Sequence, residues 1–195
     1  MKRTLLILTL LCFWEMTFAQ NMKVMLNHKA YCTDKIQPYI EFTFRVGGTT
    51  VAYALNEQHQ YEADVLINVD VKKNDSVVAN IHYILASETF ADTIMDGRPD
   101  FGNVHNLPID NGRYFLEFTF QDVNNPNSKI EYLDAITVNF PKDSLCTSGI
   151  GLMSDVRSAE PGDLYVKYGF SLTPLFYNYA GDNVYSLHLR QQHYK

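Results

Sequence analysis

The chain has 195 residues, of which 46% are hydrophobic and 19% charged, a balance that excludes an intrinsically disordered protein. Its formal net charge of −6 and its scattered lysines and arginines exclude a basic stripe for nucleic acid or an anionic membrane surface. The 13 tyrosines and 12 phenylalanines favour strands over helices.

The N-terminus predicts a secretory signal peptide over residues 1–19. A short basic start precedes an apolar run over residues 5–13, and Thr17 and Ala19 supply small residues before a cleavage site after Ala19. The run is shorter than the roughly 20 apolar residues that a membrane-spanning helix needs. Cys12 lacks the small residue that normally precedes a lipidated cysteine. We therefore expect export to the periplasm, the outer-membrane surface or the extracellular space, with no transmembrane segment in the mature chain.

Two cysteines remain after that cleavage, Cys32 and Cys146. In an oxidising compartment such a pair can form a disulfide. The chain-entropy model gives about 4–5 kcal/mol of stabilisation for a loop of roughly a hundred residues. The alternative is two separate buried thiols, because cysteine is among the most buried residue types. The sequence cannot place the two Cα atoms within bonding range, so both interpretations stand.

From Pro38 onward the hydrophobic period is two, which predicts antiparallel strands. The first covers residues 39–46. Its apolar face holds Ile40, Phe42, Phe44 and Val46. Its other face, expected to meet solvent, holds Tyr39, Glu41, Thr43 and Arg45. The pair Gly47-Gly48 predicts a hairpin turn into a second strand over residues 50–55.

The same period predicts further strands over residues 61–72, 77–85, 114–120 and 130–140. The inward face of the first of these holds Ala63, Val65, Ile67, Val69 and Val71. The pair Asn74-Asp75 predicts a turn between the first two. Residues 87–106 are less regular, and their glycines and proline predict a short edge strand and loops instead of a central strand.

Short strands without intervening helices predict an all-β, antiparallel β-sandwich. Asp110, Gly112 and Tyr114 match the Asp-x-Gly-x-Tyr pattern of a tyrosine corner, in which the tyrosine hydroxyl bonds to the backbone just upstream. Leu116 stands where immunoglobulin domains usually carry a cysteine, so their inter-sheet disulfide is not expected. We predict an immunoglobulin-like β-sandwich over residues 20–145.

The tail, residues 146–195, is predicted to be a linker and an incomplete second β-domain. Residues 148–152 suggest a linker strand, residues 155–163 a polar loop, and residues 165–170 a strand. Residues 186–195 carry no apolar period that would finish a second sheet.

Candidate metal ligands are sparse. The histidines lie in separate segments without a second histidine three or four residues away, and we expect them to be surface or hydrogen-bonded residues. They are His28, His59, His82, His105, His188 and His193. Asp92, Asp96 and Asp100 are the best calcium candidates, but their spacing does not match the alternate-residue ligands of a calcium loop. No metal or cofactor is expected.

Catalytic signatures are also missing from the sequence. There is no Gly-x-Ser-x-Gly elbow, and no histidine lies within three residues of Cys32 or Cys146 in the chain. Glu41 and Glu117 lie in mid-strand opposite the apolar stripes, where solvent exposure is expected instead of the convergent pair of a glycosidase. The sequence therefore predicts a non-catalytic protein.

Aromatic residues outside the apolar stripes suggest a partner-binding face, because such residues anchor interfaces. The alternative is core packing, which we favour for the first domain, whereas both interpretations stand for the tail. The residues are Tyr39, Tyr53, Phe115, Tyr132, Tyr165, Tyr168 and Tyr177.

Across residues 22–180 the chain resembles the N-terminal region of the GWxTD-domain proteins, exported proteins of Bacteroides-group bacteria. The segments that carry the resemblance are residues 38–41, residues 51–53, residues 111–114 leading to Asp122, and Ser148-x-Ile150. The resemblance implies immunoglobulin-like domains, an envelope location and no established catalytic activity. The Gly-Trp-x-Thr-Asp module itself is missing, since the only tryptophan is Trp14, so the chain is interpreted as a truncated or divergent member.

The function predicted from the sequence is an exported adhesion, scaffolding or protein- or glycan-binding module of the bacterial envelope. β-Strand addition by a partner peptide at a sheet edge is one specific form of it. The alternatives are an accessory domain of a secreted hydrolase, which requires converging carboxylates or histidines, and a structural spacer from a truncated multidomain protein.

Overall fold

A computed structural model describes residues 22–33, 37–94, 96–141, 146–163, 165–175, 188–191 and 193–194. The predicted signal peptide with Cys12, and the aromatic Tyr177, lie outside these residues. The described part is all-β and antiparallel, and it contains no helix with the length and hydropathy to cross a membrane.

The strands, in chain order, are β1 (Val24–Cys32), β2 (Pro38–Val46), β3 (Ala54–Leu55), β4 (Tyr61–Glu62), β5 (Asp64–Lys73), β6 (Ser76–Ala86), β7 (Phe101–Pro108), β8 (Gly112–Asp122), β9 (Lys129–Val138), β10 (Cys146–Thr147), β11 (Gly151–Ser158), β12 (Val166–Lys167), β13 (Phe170–Pro174), β14 (His188–Arg190) and β15 (His193–Tyr194).

Two sheets form the sandwich, a three-stranded sheet in the order β1-β2-β7 and a four-stranded sheet in the order β6-β5-β8-β9. Phenylalanines from the central strands of both sheets fill the space between them. The ring of Phe42 lies 6.0 Å from that of Phe118, and the ring of Phe44 lies 5.8 Å from that of Phe120, both edge to face. Such geometry adds to the stabilisation that each buried ring already contributes.

The predicted apolar stripes are confirmed as the core. The alternate residues of β2, β5 and β8 are all 2% exposed or less, because each strand presents every second side chain to the opposite sheet. The predicted turn between β5 and β6 is also confirmed. Asn74 and Asp75 have φ of 50° and 62°, the paired positive angles of a two-residue hairpin, which asparagine and aspartate tolerate.

The predicted hairpin at Gly47-Gly48 is wrong. Residues Gly48–Thr50 form a 3-10 turn, and β3 pairs with β4 instead of β2. Gly47 has φ of −69°, whereas a two-residue hairpin needs positive φ. Val51 instead turns into the core. Val51 is therefore part of the core, whereas Ala54 and Leu55 are exposed, and the segment does not extend the sheet of β2.

Two strands of the first sheet, β1 and β7, lack a regular apolar period in the sequence. Strand β1 turns His28 toward the core, where a hydrogen bond to Asp134 compensates for its polarity, so the apolar period is broken. Strand β7 is the edge strand predicted within residues 87–106, and it begins beside Gly102. A Cβ at Gly102 would lie 2.0 Å from the carbonyl oxygen of Phe44, so the close approach of β7 to β2 requires glycine.

The start of β8 is tied to the backbone upstream of it. The hydroxyl of buried Tyr114 donates to the carbonyl oxygen of Asp110 at 2.8 Å, which is the hydrogen bond of a tyrosine corner. Gly112 lies against the ring, where an added Cβ would come 3.1 Å from the Tyr114 hydroxyl. Asn111 exchanges two hydrogen bonds with the backbone of Phe140, so the start of β8 and the end of β9 are held together.

The tail contains a third sheet, in the order β12-β13-β11-β14, and a short β10-β15 pair. Three expectations for the tail are wrong. Residues 155–158 belong to β11 and not to a loop. Residues 165–170 form a hairpin, with positive φ at Tyr168 and Gly169, and not one strand. Strand β14 pairs with β11 although it lacks an apolar period, because the ladder needs only backbone groups.

Candidate functional site

The third sheet packs over the outer face of the β1-β2-β7 sheet and leaves a cleft of about 460 Å³ between them. We call it the inter-sheet cleft. Its floor is formed by alternate outward residues of β1, β2 and β7. They are Asn27, Lys29, Tyr31, Glu41, Thr43 and Asn106. The register places Asn27 opposite Thr43, and Glu41 between Lys29 and Asn106, so these side chains are neighbours across the strands.

The tail forms the opposite wall of the inter-sheet cleft. This wall includes Gly151, Met153, Tyr165, Lys167, Leu172 and Arg190. Tyr165 is buried, and its hydroxyl lies 3.5 Å from the carbonyl oxygen of Phe44. The amide of Gly149, which precedes this wall, donates to the carbonyl of Ala30 at 3.4 Å. The wall is therefore attached to the sandwich through side chains and backbone.

Glu41 is the centre of that attachment and is only 8% exposed. Lys167 Nζ donates to its Oε2 at 2.6 Å, and Arg190 Nη1 donates to its Oε1 at 2.6 Å. Arg190 also lies 4.1 Å from the ring centre of Tyr31, and Lys167 donates to the hydroxyl of Tyr39 at 2.9 Å. One carboxylate of β2 thus joins strands β12 and β14 of the third sheet to the sandwich.

Burial and charge shift the pKa values of this cluster in a consistent way. Burial alone raises the pKa of Glu41, but the hydrogen bonds and charges of Arg190 and Lys167 outweigh it and hold that pKa below its ordinary value. Burial, together with the Glu41 charge, raises the pKa of Tyr39 to about 12. Burial raises the pKa of Tyr165 to about 12 as well. Glu41 is therefore ionised and these tyrosines are neutral at pH 7.

The expectation that Glu41 faces solvent is wrong, because the third sheet covers it. Glu117 lies on the opposite outer face of the sandwich, half exposed, with its Oε1 2.6 Å from Lys72 Nζ. The structure therefore does not bring the two glutamates together. The hydrolase alternative requires two converging carboxylates, and Glu41 is the one carboxylate among the described residues that line the inter-sheet cleft.

The candidate calcium ligands contact cations or solvent. The guanidinium of Arg98 lies 3.0 Å from Asp92 Oδ1 and stacks over Phe90 at 3.7 Å. Arg45 Nε donates to Asp100 Oδ2 at 2.9 Å, and Asp96 is exposed. Within the described ranges, no three His, Cys, Asp or Glu side chains are grouped as metal ligands.

The histidines are scattered over the fold. His28 Nε2 lies 3.0 Å from Asp134 Oδ2, and its ring stacks on Phe118. Burial raises the pKa of Asp134, but the bond to His28 and further contacts outweigh it and lower the pKa. His82 contacts Asn68 on the outer face of β5. His59 is exposed, and His105 stacks on Tyr83, where burial lowers its pKa. The side chains of His188 and His193 lie outside the described part.

Cys32 and Cys146 come close together, although they are thiols in the structure. Cys32 ends β1 inside the core, and Cys146 begins β10 and packs against that core. Burial raises the pKa of the Cys32 thiol, and the neighbouring Cys146 side chain raises it further. The disulfide between them stays a prediction.

The aromatic residues outside the apolar stripes divide into two groups. Tyr39 and Tyr165 pack between the sandwich and the third sheet, and Tyr53 lies under Arg98. The expectation that Phe115 and Tyr132 pack in the core is wrong, because both lie on the surface of the second sheet. In the tail, Tyr168 is 73% exposed.

The inter-sheet cleft itself was not found from the sequence. Lys167 lies 126 residues from Glu41 and Arg190 lies 149 residues from it. No local pattern marks Lys29, Asn27 or Asn106 as members of one site, since all are ordinary polar residues of alternating strands. A charged residue on the polar face of β2 was the one available signal, and it also fits a solvated strand.

Comparison of the chain with known protein families, with curated proteins and with solved structures found no match. The inter-sheet cleft and the side chains that line it are therefore the basis for a function.

Proposed function

We propose that the mature chain is an exported, non-catalytic module of the bacterial cell envelope that binds a protein or glycan in the inter-sheet cleft, as an adhesion or scaffolding domain. The cleft is the observation that carries the proposal. Its volume of about 460 Å³ lies within the range of about 300–1,000 Å³ that ligand pockets occupy. Amides, hydroxyls, cations and aromatic rings line it, which are the groups that orient a ligand.

Binding explains the cleft better than catalysis. Glycoside hydrolysis needs a general acid with a raised pKa and a second carboxylate close to it. Glu41 has a lowered pKa and both of its oxygens are engaged by cations. Its role is to hold the third sheet in place, which leaves the remaining polar side chains to contact a ligand.

The envelope location and the immunoglobulin-like class belong to the same proposal. Antiparallel sheets of three and four strands and the hydrogen bond from Tyr114 to Asp110 support an immunoglobulin-like sandwich. The basic and apolar start of the sequence supports export. The resemblance to the GWxTD-domain proteins supports the envelope of a Bacteroides-group bacterium.

The test is a binding screen with a cleft-filling variant. The mature protein is screened against immobilised envelope polysaccharides, peptidoglycan fragments and envelope proteins. Asn106→Trp fills the cleft from its floor, and Thr137→Trp is the matched control on the outer face of the other sheet. We expect binding to be lost in Asn106→Trp and kept in Thr137→Trp. A ligand that binds both variants equally would show that the cleft is not the site.

Export is tested separately on the protein from its own cells. Fractionation should place the protein in the envelope or the medium. Its intact mass should match a chain whose first residue is Gln20. A cytoplasmic protein that retains residues 1–19 would contradict this part of the proposal.

A structural spacer is the second candidate, and exposed apolar residues in the tail favour it. Val166, Tyr168 and Phe170 are about half exposed or more and lie on the β12–β13 hairpin at the edge of the third sheet. Such a patch suits docking of a further domain. Sedimentation velocity tests it: self-association that Phe170→Ser abolishes and Leu133→Ser does not would support the spacer, and a monomer at all concentrations would oppose it.

A further inference from the structure

The inter-sheet cleft carries positive charge in an acidic protein. Lys29, Lys167 and Arg190 line it, against the one carboxylate of Glu41 among its described lining residues. The whole chain has a formal net charge of −6. An excess of one sign of charge inside a cleft focuses the field and raises the local concentration of oppositely charged ligands.

Among the described residues that line the cleft, Lys29 is the cation available to a ligand. Both oxygens of Glu41, its cross-strand neighbour, are engaged by Lys167 and Arg190. Lys29 forms no ion pair with any carboxylate that the structure describes. Its stem lies against Gly149, where an added Cβ would come 3.3 Å from Cδ of Lys29. The side chain of Lys29 therefore lines the cleft, and no carboxylate in the described part of the chain neutralises its charge.

Neutral polar side chains stand beside Lys29 on the floor of the cleft. Asn27 lies two residues from Lys29 on the same face of β1 and pairs with Thr43 on β2. Asn106 on β7 pairs with Glu41 on β2. The side chains of Asn27, Thr43 and Asn106 line the cleft and are not engaged by the hydrogen bonds described for the chain. Two amides and a hydroxyl supply donors and acceptors for neutral ligand hydroxyls.

The floor of the cleft argues against an added peptide strand. Strand β2 is paired on both sides, with β1 and with β7, so its backbone groups are already bonded within the sheet. Strand addition needs an unpaired edge, and the unpaired edges of this sheet are those of β1 and β7, at its sides and not over the face that forms the floor. Recognition in this cleft must therefore use side chains, and these match a ligand with one carboxylate and several hydroxyls.

We infer that the inter-sheet cleft binds an acidic glycan, a sugar chain that carries carboxylates, with Lys29 pairing with a sugar carboxylate and Asn27, Thr43 and Asn106 contacting its hydroxyls. This inference rests on the proposed function, since it names the ligand class of the same cleft. An acidic peptide shares the charge but not the hydroxyls.

The experiment titrates the mature protein by calorimetry with oligogalacturonate, with its methyl ester and with oligoglutamate. We expect oligogalacturonate to bind, with an affinity at least tenfold higher than that of the uncharged ester. Lys29→Gln should weaken this binding at least tenfold. Lys129→Gln, which removes an exposed lysine on β9 of the other sheet, should leave it unchanged.

Thermal melts of both lysine variants check that each is folded. Equal binding of the acid and the ester, no effect of Lys29→Gln, no binding of oligogalacturonate, or stronger binding of oligoglutamate would each overturn the acidic-glycan inference. The proposed function fails on a different observation. If a ligand of any class binds the native protein but Asn106→Trp does not weaken it, the cleft is not the site. If Asn106→Trp blocks a neutral glycan or a peptide, the cleft remains the site and only the ligand class is wrong.

Discussion

Replacing Glu41 by glutamine removes the charge that joins the third sheet to the sandwich while nearly preserving the side-chain volume. Glu41 is 8% exposed, and it contacts Lys167 and Arg190 at 2.6 Å each. Removing one partner of a buried ion pair costs about 3–5 kcal/mol, because the remaining charge stays buried without compensation. Lys167 keeps some access to water, so we expect the lower end, about 3 kcal/mol.

The assay is urea and thermal unfolding followed by circular dichroism. For a chain of this length, about 3 kcal/mol corresponds to a fall in Tm of about 6–12 °C. Glu117→Gln is the matched control, since Glu117 forms a half-exposed pair with Lys72, and such pairs contribute about 0–1 kcal/mol. Hydrogen exchange should quicken in β11 and β13 of Glu41→Gln before it quickens in β5 and β8.

The pH dependence adds an independent measurement. The pKa of Glu41 is lower in the folded protein than its ordinary value of 4.5, so the folded state binds this proton less readily than the unfolded state. The stabilisation is complete above about 4.5 and is lost as the pH falls through the folded pKa. The stability difference between the native protein and Glu41→Gln should therefore shrink in acid. Equal losses in the two glutamate variants at pH 7, or a difference independent of pH, would refute the reasoning.

Other changes test the sandwich itself. Tyr114→Phe should cost about 1 kcal/mol, because the carbonyl of Asp110 loses the hydrogen bond from the tyrosine hydroxyl, and an unfolding curve unchanged from the native one would contradict it. Phe118→Ala should cost about 3–5 kcal/mol through the cavity it leaves between the sheets, measured by urea unfolding, and a loss below about 1 kcal/mol would mean that the ring is not in the core. The intact mass of the exported protein should rise by about two hydrogens on reduction if Cys32 and Cys146 are bridged, and an unchanged mass would exclude the bridge.

An element could be predicted where its burial or its backbone angles leave a pattern among neighbouring residues. Strands β2, β5 and β8 were found because alternate buried residues leave a period of two that is visible within eight residues of sequence. The turn at Asn74-Asp75 was found because its positive φ angles restrict the residue types there. Strand β1 was missed because His28 faces the core, which only its contact with Asp134 from another sheet explains.

Local sequence is enough to predict the all-β class, the apolar stripes of the sandwich and its tightest turn, because each depends on neighbouring residues along one strand. Which outward face stays in water depends instead on contacts between distant segments. The polar face of β2 looks like a solvated one until the third sheet covers it, and the partners that neutralise Glu41 lie 126 and 149 residues further along the chain. A buried charged residue and an exposed one occupy the same position in a pattern of alternating residues. They differ in desolvation, which depends on distant chain segments and therefore leaves no sign in a period of two or a turn motif.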